Sequence, residues 1–142
     1  MVEPKQDLHL LHHLGFVVGS IDQTVASFAH SVNGSWDGEI FHDPIQGVKV
    51  TFVSMPGTNV QMELVEPVGE ESPVRAFLEK GGGLHHLCYE VDDCEQTIIA
   101  VRKRGAMIVK RPKPAVAFQG RKIAWVLTSE KLLVELLEGS AR

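Results

Sequence analysis

Two histidines and two glutamates stand out by where they recur. The run LHHLGFVV, residues 11–18, contains His13, and LHHLCYEV, residues 84–91, contains His86 at the same place 73 residues later. Glu63 lies between Met62 and Leu64, and Glu135 lies between Val134 and Leu136, each inside an apolar run. A carboxylate within a strand core is costly unless it is paired or bound to a cation. Side chains alternate along a strand, so His13 shares a face with Gly15 and Val17, while Leu14, Phe16 and Val18 take the other. The corresponding face of the second run carries His86 and Cys88. One imidazole and one carboxylate from each half, meeting across a pseudo-twofold axis, would ligate a single divalent ion: cobalt, manganese, nickel, zinc or iron. Positions would stay open for a substrate. Any one of the four residues alone reads better as a satisfied polar group at a strand end. Their symmetric placement favours the metal.

The four positions recur because the chain repeats itself. Asp22-Gln23-Thr24-Val25 matches Glu95-Gln96-Thr97-Ile98, and QGVKVTFV at 46–53 matches QGRKIAWV at 119–126, both at the offset of the histidine runs. Met62–Glu66 matches Val134–Glu138 at an offset shorter by one residue. Matching blocks in the same order mark a duplication. A single domain over residues 1–142 is expected, with module one at 9–66, a connector at 67–83 and module two at 84–138. Each module reads as strand, helix and three strands: a weak one near 36–42 or 106–110, then 48–54 or 122–128, then 59–66 or 131–138. Ser20 with Gln23, and Asp92 with Glu95, have capping-box spacing. Asn33-Gly34 and Arg104-Gly105 end the helices. Ser72-Pro73 opens a short connector helix and Gly81-Gly82-Gly83 closes it. The predicted fold is α+β: two tandem βαβββ modules related by pseudo-twofold symmetry, forming a cupped mixed β-sheet around the metal site.

Composition narrows the partners. The chain has 142 residues, 44% apolar and 23% charged, with a net charge of −4, which fits an ordinary globular core and offers no pull towards nucleic acid. No apolar run reaches the ~18 residues of a membrane span, and MVEPKQD lacks the apolar stretch of a signal peptide. A cytoplasmic protein without membrane or nucleic-acid partners is expected. Cys88 and Cys94 form neither a CxxC pair nor a disulfide framework.

The runs LHHLGFVV, QGVKVTFV, QMELVEP, ESPVRAFLEKGGGLHHLCYEV and LLVELLE resemble the vicinal oxygen chelate superfamily of glyoxalases, bleomycin resistance proteins and dioxygenases, and within it the methylmalonyl-CoA epimerases. The resemblance covers residues 10–138. It implies metal ligands at His13, His86, Glu135 and Glu63, with Glu135 and Glu63 as catalytic carboxylates and one divalent metal as cofactor. The implied activity is a divalent-metal-dependent isomerase or epimerase. It would abstract a proton beside a chelated carbonyl or thioester through an enolate, on a small substrate that could be CoA-linked, in a homodimer. A glyoxalase I-like lyase acting on a hemithioacetal is the alternative in the same class. A non-enzymatic small-molecule binding protein of the resistance type and an iron oxygenase are alternatives in others.

The chain departs from the epimerases in its last hairpin, 127–132, which lacks their GG, and at one place that bears on the chemistry. Their acid/base glutamate immediately before HGV or QGV is Ile45 here, and isoleucine carries no proton. Asp43 and His42 are the nearby groups that could replace it. Phe118 is the repeat equivalent of Ile45, so the two are expected as apolar walls of the substrate cavity, with Cys88 on the same lining. Trp125 and Phe52 are expected in the core, and Pro112-Lys113-Pro114 as a rigid lid loop. Residues 96–129 hold eight of the fourteen basic residues and no acidic one, a segment suited to phosphate or to solvent.

Overall fold

The computed structural model describes residues 10–139; the expectations for MVEPKQD and for the domain's outermost residues lie outside them. The first module runs β1 (Leu10–Val17), α1 (Ile21–Ser31), β2 (Ser35–Trp36), β3 (Phe41–Asp43), β4 (Val48–Ser54) and β5 (Gln61–Pro67). After α2 (Arg75–Glu79), the second runs β6 (Gly83–Val91), α3 (Cys94–Lys103), β7 (Met107–Pro114), a 3-10 turn (Val116–Phe118), β8 (Lys122–Leu127) and β9 (Leu133–Glu138). All nine strands form one sheet in the order β2-β4-β5-β1-β6-β9-β8-β7, with β3 pairing on β4. The order is symmetric about the β1–β6 pair. β1 and β6 run antiparallel to each other, and each has the last strand of its own module as a parallel neighbour. The duplicated βαβββ plan is therefore the observed one. Among the described residues no helix is long and apolar enough to cross a membrane.

Alternation gives the sheet two faces with different tasks. On one, α1 packs on Val18, Val53 and Leu64, and α3 packs on Val91, Ala124, Val126 and Leu136. On the other, Val17, Val50 and Val65 from one module face Cys88, Ile123 and Leu137 from the other, and this face forms the cup. The helices are tied down in the same way twice. Glu66 Oε1 accepts from Ile21 N at 2.7 Å, and Glu138 Oε1 accepts from Cys94 N at 3.1 Å, so the end of each last strand caps its module's helix.

Several local expectations need correction. The second helix is capped by Asp93, whose Oδ1 accepts from Gln96 N, and not by Asp92; Asp93 stands 73 residues after Ser20, which caps the first helix through Gln23 N. The connector helix starts at Arg75 with no side-chain cap, and the buried Ser72 hydroxyl has no hydrogen-bond partner. Asn33, not Gly34, takes the left-handed conformation, at φ 53°; Gly34 is needed because a Cβ there would stand 2.5 Å from Val53 Cγ1. The weak strand near 36–42 is two short pieces, and its counterpart runs on to Pro114. Pro112-Lys113-Pro114 is thus sheet edge and not a lid, since β7 has only β8 beside it and proline is tolerated on an edge. β9 begins at Leu133, after Lys131 turns with φ 73°.

Candidate metal centre

Four adjacent strands, β5-β1-β6-β9, each supply one side chain. In register, Gly15 lies opposite both Glu63 and His86, and Cys88 lies opposite both His13 and Glu135, which brings the four polar groups to the middle of the cup. All four are buried. His13 Nε2 lies 3.4 Å from Glu63 Oε1 and 3.0 Å from Glu135 Oε1. His86 Nε2 lies 3.3 Å from each of the same oxygens, and the two Nε2 atoms are 3.2 Å apart. Among the described residues, this cluster and one of His12, His13 and Cys88 are the groupings with metal-ligand spacing.

The donor set fits a divalent ion. Atoms ~2.0–2.2 Å from a common ion stand ~2.8–3.6 Å apart at octahedral or tetrahedral angles, the span observed here. Glu135 Oε1 is buried and makes no hydrogen bond with proper geometry, although two ring nitrogens approach it. Two buried carboxylates with two neutral imidazoles carry a charge of minus two, which such an ion cancels.

Gly15 makes room for the site. A Cβ at this position would stand 1.9 Å from His86 Cε1, so the ring sits directly on the glycine, and Trp125 closes on it in a T-shaped contact with centroids 4.7 Å apart. A cavity of about 170 Å³ opens beside the cluster. Glu63, Glu135 and His86 line it together with Val50, Phe118 and Trp125. Trp125, expected in the core, is thus cavity wall, while Phe52 packs edge-on to His13 at 5.7 Å. Of the residues assigned to the substrate, Phe118 and Cys88 share one packed cluster and Ile45 stands apart from it. Phe118 lines the cavity, Cys88 is fully buried in the core behind it, and Ile45 is 53% exposed on the turn after β3.

The two groups near Ile45 are placed differently. Asp43 lines the cavity, but its Oδ1 accepts from Gln46 N and its Oδ2 from Val116 N, tying the two modules together. His42 is exposed. Of the eight basic residues between 96 and 129, Lys110 alone is part of the cavity lining.

Strict alternation would send His12 and His85 away from the cup, and it fails at both. The β1–β6 pairing skips His12 between Leu11 and His13, and skips His85 between Leu84 and His86. Each bulge turns the extra histidine beside its neighbour, with Nδ1 to Nδ1 distances of 2.8 Å in both pairs. The repeated double histidine was the signal in the sequence.

The electrostatics of the four side chains themselves are those of ion pairs. Burial pushes the Glu63 carboxyl up, but His13 and His86 outweigh it and hold it well below the usual range. Glu135 is lowered by the same rings against the same burial. Burial lowers His13 and His86, yet Glu63 and Glu135 raise both above 6.5. Burial and, next, the adjacent His13 ring lower His12; burial and then the His86 ring lower His85 to about 4. Burial, and then Glu135, lift the Cys88 thiol well above the ordinary range.

A pH dependence follows. The raised histidines contribute stability that is complete below 6.5 and is lost as pH climbs through their folded values. The lowered glutamates contribute above 4.5, and that part is lost as pH falls through theirs. The metal-free protein should therefore melt highest between about pH 4.5 and 6.5. The rise in melting temperature on adding a divalent cation should grow with pH above that window, because the ion replaces the ring protons. Thermal melts with and without Co(II) from pH 4 to 9 check this; a metal-free melting point that climbs steadily to pH 9 would contradict it.

Comparison with known proteins gives a consistent set of likenesses. The sequence profile of the Glyoxalase/Bleomycin resistance protein/Dioxygenase superfamily matches residues 12–125. An ethylmalonyl-CoA/methylmalonyl-CoA epimerase of Cereibacter sphaeroides is 31% identical over 118 residues, which is 82% of this chain and 86% of the relative. A mitochondrial methylmalonyl-CoA epimerase of Mus musculus is 35% identical over 103 residues, 71% of this chain, and the match spans only 56% of the mouse protein. A crystal structure of a hypothetical protein from Bacillus halodurans superposes with a TM-score of 0.82 at 29% identity, covering 94% of this chain and 96% of that one.

Proposed function

Since this chain belongs to the glyoxalase/bleomycin resistance protein/dioxygenase superfamily, we propose that it is a divalent-metal-dependent isomerase of the epimerase type, acting beside the carbonyl of a small acyl thioester. The observation that carries the reading is the convergence of His13, Glu63, His86 and Glu135 on the wall of an apolar cavity. These four residues would hold the ion. When bound, a divalent cation supplies Lewis-acid stabilisation of the negative charge that gathers on a carbonyl oxygen as its α-proton leaves.

The chain's own groups supply the rest. Glu63 and Glu135 line the cavity from opposite modules, so one can take the proton from one side of the substrate carbon while the other returns it on the opposite side. A base must be ionised, and beside a bound cation both carboxyls would be held in that form. Val50, Phe118 and Trp125 give the cavity apolar walls, beside which charge interactions are stronger than in water. The relatives named as CoA-thioester epimerases support the thioester class. A homodimer and a cytoplasmic setting belong to the same reading, and sedimentation and cell fractionation check them.

Ile45 supports a second reading. With that position outside the cavity lining and Asp43 engaged by two backbone N–H groups, Glu63 and Glu135 are the two carboxylates left to move protons. A glyoxalase I-like lyase acting on a hemithioacetal would need no more. The test is Co(II)-loaded protein in D2O, with methylmalonyl-CoA in one arm and the methylglyoxal–glutathione hemithioacetal in the other. Deuterium entering C2 of the thioester faster than in a protein-free control is the expected result. Turnover of the hemithioacetal alone would establish the lyase, and silence in both arms would leave a small-molecule binding protein.

A further inference from the structure

We propose that His12 and His85 are positioning residues of the metal centre, each holding the ring of the ligand histidine that follows it in the tautomer that leaves Nε2 free for the ion. The inference rests on the reading of His13 and His86 as ligands. Its basis is the pair of bulges. Without them, His12 and His85 would project to the helix-covered face; with them, each ring meets its neighbour Nδ1 to Nδ1 at 2.8 Å. Both rings are held by aromatic contacts. His12 stands edge-on to Phe118 at 5.5 Å, and His85 edge-on to Phe77 at 4.8 Å. The same device occurs in both modules, in the two strands that carry the histidine ligands.

Two ring nitrogens this close share one proton, so one donates and the other accepts. If the ligand ring donates from Nδ1, its Nε2 keeps a lone pair aimed at the centre of the cluster. If instead the neighbour donated, the proton of the neutral ligand ring would sit on Nε2, where the ion belongs. Holding the ion therefore selects His13 and His86 as donors and His12 and His85 as acceptors. A ligand histidine usually gives this proton to a carboxylate, a backbone carbonyl or water. A neutral imidazole in that role orients the ring without adding charge, so the cluster keeps the two negative charges that a divalent ion cancels.

The test is Co(II) affinity, measured by competition with a chelator, for the unaltered protein and for His12→Phe, His85→Phe, His12→Asn and His85→Asn. Phenylalanine keeps the ring but not the acceptor; asparagine Oδ1 restores an acceptor near the place of Nδ1. Each phenylalanine variant should bind Co(II) ~10–100-fold more weakly, and each asparagine variant should stay close to the parent. Phenylalanine variants that bind as tightly as the parent, or asparagine variants that fall as far as phenylalanine, would overturn the inference. A parent protein that takes up no Co(II) would instead remove the ligand assignment beneath it. Nitrogen-15 NMR of the unaltered Zn(II)-loaded protein reads the same question without a variant: Nδ1 protonated on His13 and His86 is expected, and Nδ1 bare on either overturns it.

Discussion

A His86→Ala variant should lose tight divalent-cation binding and melt well below the parent even before any cation is added. The two losses have different origins. His86 Nε2 is one of four donor atoms lying 3.0–3.4 Å from its neighbours in the cluster, and alanine removes it outright. Loss of a group that merely supports a ligand costs ~10–100-fold in affinity, and loss of the ligand itself should exceed that. In the metal-free protein the ring is the counter-charge for Glu63 and Glu135, both buried. Breaking a buried pair by removing one partner costs about 3–5 kcal/mol. For a chain of this length that corresponds to roughly 10–15 °C in melting temperature. The diagnostic feature is that added Co(II) should raise the melting temperature of the parent and not of the variant. A variant carrying a full complement of cobalt would contradict the ligand assignment whatever its stability.

The parts of this site that sequence could disclose are those that depend on period and duplication. The offset between His13 and His86 is also the offset between the strands that hold them, so one alternation rule applied twice puts both rings on the cup face, and Glu63 and Glu135 follow from the last strands. The pseudo-twofold relation of the two modules follows as well, because duplication implies it; the strand order itself is read from the structure. What alternation cannot disclose is an interruption of itself. His12 and His85 enter the cup through bulges set by the pairing of β1 with β6, strands more than sixty residues apart in the chain. The fate of position 45 was hidden for a related reason. Its repeat equivalent, Phe118, is the last residue of a 3-10 turn whose Val116 N donates to Asp43, while Ile45 sits on a different turn and faces outward. Equivalent positions in the repeat do not share a loop geometry, so symmetry there was a poor guide. The connector failed differently again: Ser72-Pro73 has the composition of a helix start, but the chain enters the helix two residues later and Pro73 becomes cavity wall.

The second large effect is expected at a residue with no side chain. Gly15→Ala should weaken cation binding ~10–100-fold, the scale of loss when the groups that seat a ligand ring are disturbed. Gly15 does not take a positive φ, so its backbone accepts alanine and the whole effect is steric. The added Cβ would stand 1.9 Å from His86 Cε1 and 2.4 Å from both ring nitrogens, against an ordinary contact of 3.4–4 Å. The ring has nowhere easy to go, since Trp125 closes on it and His85 holds its Nδ1. Tilting it to clear the methyl group must carry Nε2 away from Glu63 and Glu135. Overpacking of this kind also costs about 1–3 kcal/mol of stability, so a lower melting temperature by itself would say nothing about the site. Gly34→Ala provides the contrast. There the new Cβ would meet Val53 Cγ1 at 2.5 Å and Ser54 O at 2.9 Å on the helix-covered face, so stability should fall while Co(II) affinity holds. If both variants bind Co(II) like the parent, the His86 ring does not depend on Gly15 for its place. If both lose it equally, the loss reflects the fold and not the seat of the ring; only the asymmetric result ties the metal centre to a glycine opposite it in the sheet.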